Sequence, residues 1–269
     1  MKDIIDKENL FGDEYKAFIL CEYTRELDLI RQLINVAEDG IEGQMVENTW
    51  SFEGVCYEFA KTIVDYSKMA YDNVLLGHFH ATNMINRAIL ENCVLLDVIV
   101  NNEEYELWKY YLAHSYRSTI YKPNTTPKQR DIDSLNDYYK RLNIDEEFYE
   151  KQPGEKNAYI CRPYGWTYKI NKTFSFAGVC KLVGDAEYHG FRLMSDYSHG
   201  TSFYTKLGSS IFVEQMMSMF VSLYIELYRM VTLFCWDTVD DSFDAIAEEL
   251  ENIFYRFIEH EETVYGEED

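Results

Sequence analysis

The chain has 269 residues, of which 47% are hydrophobic and 16% aromatic, with only 13 Gly and 4 Pro. This length can bury a substantial core, and so much apolar side chain with so few breakers favours long packed helices over a turn-rich β fold. The 47 acidic and 25 basic residues give a formal net charge of -22. Such a chain repels phosphate backbones and anionic lipid at long range, so any nucleic-acid contact needs a local basic patch or a basic partner.

The cysteines and the apolar segments indicate where the chain resides. The six cysteines are scattered, with neither a C-x-x-C pair nor a metal-ligand spacing, and most fall in apolar runs where a free thiol behaves as a small buried hydrophobe. The N-terminus has no basic region followed by an apolar run, and the most apolar segment, 211–236, is interrupted by charged residues. We therefore expect a cytoplasmic protein without a secretory signal or a membrane span.

Four helices are predicted in the first half of the chain. Apolar residues recur at three- and four-residue spacing over three runs, at 11–38, 46–76 and 80–100. The GIEG sequence at 40–43 is expected to end the first of them. Asn101 or Asn102 is placed to cap the fourth helix, which continues to about residue 121, before the break at PNTTP.

The second half begins with a charged amphipathic piece, which we interpret as the start of a peripheral insertion over 128–174. Within it, 153–174 holds two of the four prolines and favours either a small hairpin or a packed loop anchored by Trp166. Ser175 can cap a short helix after this insertion. Further helices are predicted at 185–199, 211–236 and 241–264.

No internal repeat, low-complexity linker or composition shift divides the chain. The sequence therefore predicts a single all-α domain over 1–269, an up-and-down bundle of long helices with a mid-chain insertion. The segment 240–269 is expected to form an acidic C-terminal helix and tail.

The predicted helix at 185–199 holds the densest group of catalysis-capable side chains. Positions at helical offsets 0, 3, 4 and 7 share one face, and here they are Arg192, Ser195, Asp196 and His199. Metal-independent RNA cleavage needs an acid or base that titrates near neutrality, which His199 supplies, and a fixed cation beside the phosphorane, which Arg192 supplies. A symmetric homodimer would bring two such pairs around one phosphate, so we expect dimerisation.

The third predicted helix adds Arg87 and Glu91, which lie four residues apart on an otherwise apolar stripe. In one interpretation they form a supporting polar cluster with Ser195 and Asp196 and orient the catalytic pair. In the other interpretation Ser195 and His199 make buried hydrogen bonds to them, and this polar knot only fixes the bundle. Both interpretations predict that these side chains meet.

Several common sites are absent from the sequence. It has no G-x-x-x-x-G-K-[ST] phosphate loop and no G-x-G-x-x-G turn, so its glycines cradle no nucleotide. A di-iron bundle needs Glu-x-x-His on two helices, and the chain has none. His78 and His80 are two residues apart and make a poor zinc pair on a helix. We expect neither a cofactor nor a metal.

The arrangement of Arg192, six further residues and His199 resembles the motif of the HEPN superfamily (higher eukaryotes and prokaryotes nucleotide-binding). These compact helical proteins occur in toxin-antitoxin, CRISPR and abortive-infection systems, and many are ribonucleases. The resemblance implies that Arg192 and His199 take the HEPN roles in an RNA endonuclease of prokaryotic defence. The residue after the arginine is Leu193, where the motif commonly has a polar residue.

A broader resemblance extends over about half of the chain. Its features are the Arg87-x-x-x-Glu91 helix, then Tyr110–Tyr111, then Trp166, and finally Tyr188 with Ser195 and His199. In this order they are similar to a family of uncharacterised bacterial helical proteins catalogued as a domain of unknown function. This resemblance implies a helical fold and supplies no activity.

The charge leaves a non-catalytic alternative open. An acidic, tyrosine-rich helical protein is suited to bind a basic partner, as an inhibitor or an antitoxin-like subunit. Acidic residues crowd the C-terminus, from Glu248 to Asp269. The expected partners are thus an RNA substrate, a protein with a basic surface, or a second copy of the chain.

Overall fold

A computed structural model of the protein describes residues 13–44, 46–122, 124–184, 189–192 and 210–265. The regular secondary structure of these residues is entirely helical, which confirms the predicted all-α class. Ten α-helices are numbered here in chain order: α1 Asp13–Glu22, α2 Thr24–Glu42, α3 Phe52–Leu75, α4 Phe79–Val100, α5 Leu107–Ile120, α6 Gln129–Arg141, α7 Glu146–Tyr149, α8 Phe176–Val183, α9 Ser210–Met230 and α10 Ser242–Tyr265. Shorter elements are the 3-10 helices Glu103–Tyr105, Tyr159–Cys161 and Gly165–Thr167, and the π-helix Val231–Cys235.

The first predicted helix is two helices, divided at Tyr23. Tyr23 leaves the helical conformation, with φ -123 and ψ 27. The hydroxyl of Thr24 donates to the carbonyl of Leu20, and such back-bonding to the preceding turn is associated with bends in helices. The hydrophobic periodicity continues across this break, so the spacing of apolar residues could not reveal it.

The predicted end of the first helical run at 40–43 is confirmed, because α2 ends at Glu42 with Gly43 as its C-cap. Gly40 is buried inside α2, and a Cβ atom built on it would lie 2.5 Å from Cγ1 of Val239. Gly40 therefore permits a close approach between α2 and the segment before α10.

The chain divides into two compact units, and the first comprises residues 1–45, 59–93 and 189–269. Within it α2 contacts α1, α9, the π-helix and α10. The buried side chains of α2 recur at helical spacing, which gives one apolar stripe: Leu27, Ile30, Leu33, Ile34, Ala37 and Ile41. The exposed surface adds ion pairs between Lys68 and Glu38 and between Arg25 and Glu249.

The second unit comprises residues 46–58 and 94–188 and contains the whole of the predicted insertion over 128–174. Here α5 contacts α6 and the 3-10 helices at 159–161 and 165–167. The described residues of 153–174 include no strand, so the packed-loop alternative is correct and the hairpin is not. Trp166 anchors this loop, because it is 2% exposed and its ring centroid lies 5.5 Å from that of Tyr111. The prediction of a single domain over 1–269 stays a prediction.

Ser175 caps α8 as predicted, since its hydroxyl accepts a hydrogen bond of 3.2 Å from the backbone N–H of Gly178. This bond satisfies one of the N–H groups that have no partner inside the first turn of a helix.

Within the described residues one helical stretch, Met216–Cys235, is long and apolar enough to cross a membrane by length and composition. Its mean hydropathy is 1.3, and half of it is buried inside the protein. Phe220, Leu223 and Leu227 are fully buried, and α9 contacts α2 and α10. A core helix passes the same test of length and composition, so this is weak evidence for a span.

The α-helical hydrogen bonding of α9 gives way to a π-helix over Val231–Cys235. Two hydrogen bonds join this region to the end of α2 and the residues just after it: the Thr238 hydroxyl donates to the Gly40 carbonyl at 2.6 Å, and the Gln44 amide donates to the Phe234 carbonyl at 3.3 Å. The chain after the π-helix is therefore tied to the end of α2.

Candidate functional site

The predicted catalytic segment is described only over residues 189–192, which are helical. Arg192 lies in this segment and its side chain is exposed. Ser195, Asp196 and His199 lie outside the described residues, so their predicted roles stay predictions.

The segment at 189–192 packs on α4 within the first unit. The guanidinium carbon of Arg87 lies 4.5 Å from the ring centroid of Phe191, which is a cation–π contact. A Cβ atom on Gly190 would meet Cδ2 of Leu90 at 3.7 Å, an ordinary van der Waals distance. Because Arg87 and Leu90 are three residues apart on α4, one face of this helix holds the segment. The structure thus brings Arg87 to the residue that precedes Arg192.

Glu91 lies one turn after Arg87 on the same stripe of α4 and is half-buried. The predicted meeting of Arg87 and Glu91 with Ser195 and His199 stays a prediction, because Ser195 and His199 lie outside the described residues. Which role Arg87 and Glu91 take, orienting groups of a catalytic site or members of a structural knot, stays a prediction.

Buried polar groups connect α4 with α9 in the same unit. Asn86 is 2% exposed, and its side-chain amide donates to the carbonyl of Met219 at 3.3 Å. The thiol of Cys93 donates to the carbonyl of Glu226 at 3.5 Å. These contacts place α9 against the helix that also holds Phe191. Sequence reasoning did not select Asn86, although an amide residue inside an apolar helical run is a recognisable signal of a buried hydrogen bond.

A second polar cluster lies in the other unit around the carboxylate of Asp145. Its Oδ2 accepts hydrogen bonds from the hydroxyls of Tyr110 at 2.6 Å and Tyr168 at 2.9 Å. The ammonium of Lys169 lies 3.0 Å from the same oxygen and 4.6 Å from the ring centroid of Tyr110. One carboxylate oxygen therefore joins α5, the start of α7 and the loop after the last 3-10 helix.

The protonation states of this cluster follow from its contacts. The hydrogen bond from Tyr110 is the largest effect on Asp145 and holds the pKa of this carboxyl below its ordinary value. Burial raises the pKa of Tyr110 and Tyr168. Burial lowers the pKa of Lys169, but its hydrogen bonds to Tyr110 and Asp145 outweigh that effect and raise it. The cluster is thus an ionised carboxylate held by neutral phenols and an ammonium group, which suits a structural clamp better than proton transfer.

The Asp145 cluster was not found from the sequence. Tyr110 and Asp145 are 35 positions apart and Asp145 and Tyr168 are 23 apart, so no single helical repeat relates them. Tyr110 was noted in the broader family resemblance, but no spacing rule links it to Asp145.

A metal centre has no support in the described residues, where no group of three or more His, Cys, Asp and Glu side chains is arranged to hold an ion.

The model of a family of unknown function, DUF5677, matches residues 55–210 of the chain, which is more than half of its length. The matched range contains α4, the Asp145 cluster and the segment with Arg192. Searches among curated proteins and among solved structures returned no match.

Proposed function

The chain belongs to DUF5677, and because the description of that family names no activity, we propose a function from the chain's own residues. The proposed function is HEPN-like, metal-independent cleavage of RNA by Arg192 and His199, in prokaryotic defence or a toxin-antitoxin system. The observation that carries the proposal is the exposed Arg192, on a helical segment that α4 holds through Arg87 and Phe191.

A phosphate clamp must be accessible and must have a fixed backbone. Arg192 is exposed, so its planar fork is available to a phosphate, and the contacts of Gly190 and Phe191 with α4 restrain the backbone on which it is carried. The guanidinium of Arg87 lies against the neighbouring residue, which adds positive charge to this part of a chain whose formal net charge is -22.

In the proposed mechanism, His199 acts as general base toward the 2′-hydroxyl or as general acid toward the leaving oxygen. Arg192 stabilises the negative charge that develops on the phosphorane. If the helix of 189–192 continues to His199, Arg192 and His199 are seven positions apart, which corresponds to about 10 Å of rise along the axis. At that separation one pair does not enclose a phosphate. A homodimer that places two pairs around one phosphate completes the site in this proposal.

The test is cleavage of labelled single-stranded and structured RNA by the purified protein in EDTA. We compare the native chain with Arg192→Ala, Arg192→Lys and His199→Ala after circular dichroism has confirmed that each variant is folded. We expect losses of about 10²- to 10⁴-fold for His199→Ala and about 10²- to 10³-fold for Arg192→Ala. Arg192→Lys should remain impaired, because an ammonium group lacks the bidentate fork.

The matched control is Arg256→Ala, which removes one exposed positive charge from α10. It should leave cleavage unchanged if the effect of Arg192 is local. No cleavage by the native chain, or equal cleavage by folded His199→Ala, would contradict the proposal. Molecular mass in solution, measured by light scattering, tests the homodimer separately.

A second candidate function, non-catalytic binding of a basic partner, is favoured by exposed carboxylates that follow one another along the first unit. These are Asp237, Asp240, Asp241, Asp244, Glu248 and Glu251. Lys-rich and Arg-rich peptides provide a direct test by calorimetry. Charge reversal at Asp240, Asp244 and Glu248 should abolish their binding, whereas reversal at the exposed Glu103 and Glu104 of the other unit should not.

A further inference from the structure

The region from the end of α5 through α6 has the opposite charge to the rest of the chain. Residues 116–141 contain six basic side chains and three acidic ones: Arg117, Lys122, Lys128, Arg130, Lys140 and Arg141 against Asp131, Asp133 and Asp137. All of these basic residues except Arg117 are exposed, and Arg117 is half-buried. In a protein with a formal net charge of -22, this surface is a local exception.

Aromatic rings meet these cations in the second unit. Trp50 is 45% exposed, and its ring centroid lies 5.0 Å from that of Tyr138 in an edge-on arrangement. The guanidinium carbon of Arg141 lies 5.2 Å from the Trp50 ring and 5.4 Å from the Tyr138 ring. Tyr116 belongs to α5, and its ring centroid lies 5.0 Å from that of Tyr138 on α6. We call these four residues, Trp50, Tyr116, Tyr138 and Arg141, the aromatic–arginine face, in which Tyr138 is 3% exposed and lies beneath the exposed Trp50 and Arg141.

A hydrogen bond from the backbone of Trp50 to the side chain of Asn48 restrains the position of Trp50. Its N–H donates to Oδ1 of Asn48 at 2.9 Å, in the turn that precedes α3. A tryptophan that serves only as core would bury its ring, yet nearly half of Trp50 remains exposed beside the exposed Arg141. Lys140 and Arg141 lie in the last turn of α6, where positive charge interacts favourably with the helix dipole. That interaction does not account for the exposed indole of Trp50.

A second contact of the same kind lies at the end of α5. The guanidinium carbon of Arg117 lies 4.4 Å from the ring centroid of Tyr121, and Tyr121 is 39% exposed. Exposed aromatic rings next to arginines therefore recur along this basic region. This combination is the one that single-stranded nucleic acid requires, because cations hold the phosphates while ring faces and guanidinium planes stack with unpaired bases.

We propose that the aromatic–arginine face and its flanking basic residues form a binding surface for single-stranded nucleic acid. Trp50 and Arg141 stack with bases, and Lys140, Lys128 and Lys122 contact phosphates. A duplex keeps its bases stacked inside and offers no free ring face to Trp50, so a single strand fits this surface better. An acidic peptide would satisfy the cations but would leave the exposed indole without a planar partner. The inference goes beyond the proposed cleavage, because a strand can bind here whether or not Arg192 and His199 cut it.

The experiment measures binding of a fluorescent 12-nucleotide 2′-O-methyl RNA of mixed sequence to the full chain by anisotropy. This probe keeps bases and phosphates but lacks the free 2′-hydroxyl that the proposed cleavage uses, so failure of binding and failure of cleavage are read separately. The variants are Trp50→Leu, Arg141→Ala and Arg141→Lys. The matched control is Trp236→Leu, because Trp236 belongs to the first unit and is 44% exposed.

We expect Trp50→Leu to weaken the Kd about 5- to 150-fold, the range for loss of one stacked base, and Trp236→Leu to leave it unchanged. Arg141→Ala should weaken binding and reduce the slope of log Kd against log salt concentration by about 0.7. Arg141→Lys should restore the salt slope but only part of the affinity, because an ammonium group does not stack. Quenching of tryptophan fluorescence by unlabelled RNA should be smaller in Trp50→Leu than in Trp236→Leu.

Absence of saturable RNA binding by the native chain would overturn the proposal. So would unchanged affinity in both Trp50→Leu and Arg141→Ala. Equal affinity for a duplex of the same sequence, or for a polyglutamate peptide of the same charge, would show that the surface attracts anions without reading bases, and would also overturn it. Trp50→Phe, which keeps an aromatic ring on Tyr138, replaces Trp50→Leu if the latter does not fold and should retain part of the affinity.

Discussion

Replacement of Asp145 by alanine should lower the free energy of unfolding of the second unit by about 2–3 kcal/mol. The carboxylate accepts from the hydroxyls of Tyr110 and Tyr168, which are each 3% exposed. A buried donor without an acceptor costs about 1–3 kcal/mol, and because the Asp145 side chain is 48% exposed, water can enter and keep each cost near about 1 kcal/mol. The partly exposed ion pair with Lys169 adds no more than about 1 kcal/mol.

The assay is urea unfolding followed by tryptophan fluorescence in a Trp236→Phe background. Trp50, Trp108 and Trp166 then report only on the second unit, to which all three belong. Asp137→Ala is the matched control, because Asp137 is an exposed aspartate of α6 and its replacement should change the free energy by less than about 0.5 kcal/mol. Tyr110→Phe, measured with and without Asp145→Ala, should show a coupling of about 1 kcal/mol.

The contribution of Asp145 should also depend on pH. Its folded pKa is lower than the unfolded value of about 3.9, so its stabilisation is fully present above that value and is lost as the pH falls through the folded pKa. The difference between the native chain and Asp145→Ala should therefore be constant from about pH 5 to 7 and should shrink in acid. Equal stability of the two proteins at neutral pH, or a difference that does not shrink in acid, would refute this account of the cluster.

Two further predictions concern the first unit. Gly40→Ala should destabilise the protein by about 1–3 kcal/mol in urea unfolding, because its Cβ would lie 2.5 Å from Val239, whereas Gly43→Ala, whose nearest neighbour is Thr238 at 3.3 Å, should cost less than about 1 kcal/mol. Equal effects of the two glycine changes would contradict the close approach at Gly40. A double-mutant cycle of Arg87→Ala and Phe191→Leu should give a coupling of about 0.5–2 kcal/mol, and a coupling near zero would mean that the cation–π contact does not hold the segment on α4.

Apolar periodicity predicted most of the helices, and capping chemistry predicted the start of α8 at Ser175. These features are local, so they can be read from neighbouring residues. The errors arose where tertiary contacts decide the local structure. The GIEG sequence marks the end of α2 correctly, but it does not reveal that Gly40 is a packing position against Val239 inside the helix. The break at Tyr23 interrupts no hydrophobic stripe and so left no signal.

The candidate site was predictable to the extent that it lies on helices. The spacing placed Arg87 and Glu91 on one stripe of α4, and the structure adds the contact of Arg87 with Phe191, which the sequence did not predict. The Asp145 cluster and the aromatic–arginine face were not predictable, because each joins segments far apart in the chain through loops. Trp50 and Arg141, for example, are 91 positions apart and meet only because the turn before α3 lies against the end of α6. Composition did indicate that RNA binding by this acidic chain would need a local basic patch, and residues 116–141 provide one.

The π-helix at Val231–Cys235 contains one residue more than α-helical bonding would need at this point. Because its hydrogen bonds span five residues instead of four, the wide turn absorbs the extra residue and the residues that follow keep nearly the same direction. A residue of an α-helix advances the chain by about 100° around the axis, so a one-residue deletion from the α-helical part of α9 would rotate everything that follows by about that angle. Thr238 would then leave the Gly40 carbonyl, and Val239 would no longer face the glycine that accommodates it. A one-residue deletion should therefore be tolerated within 231–235 and in the surface loop at 124–128, and excluded from the α-helical part of α9.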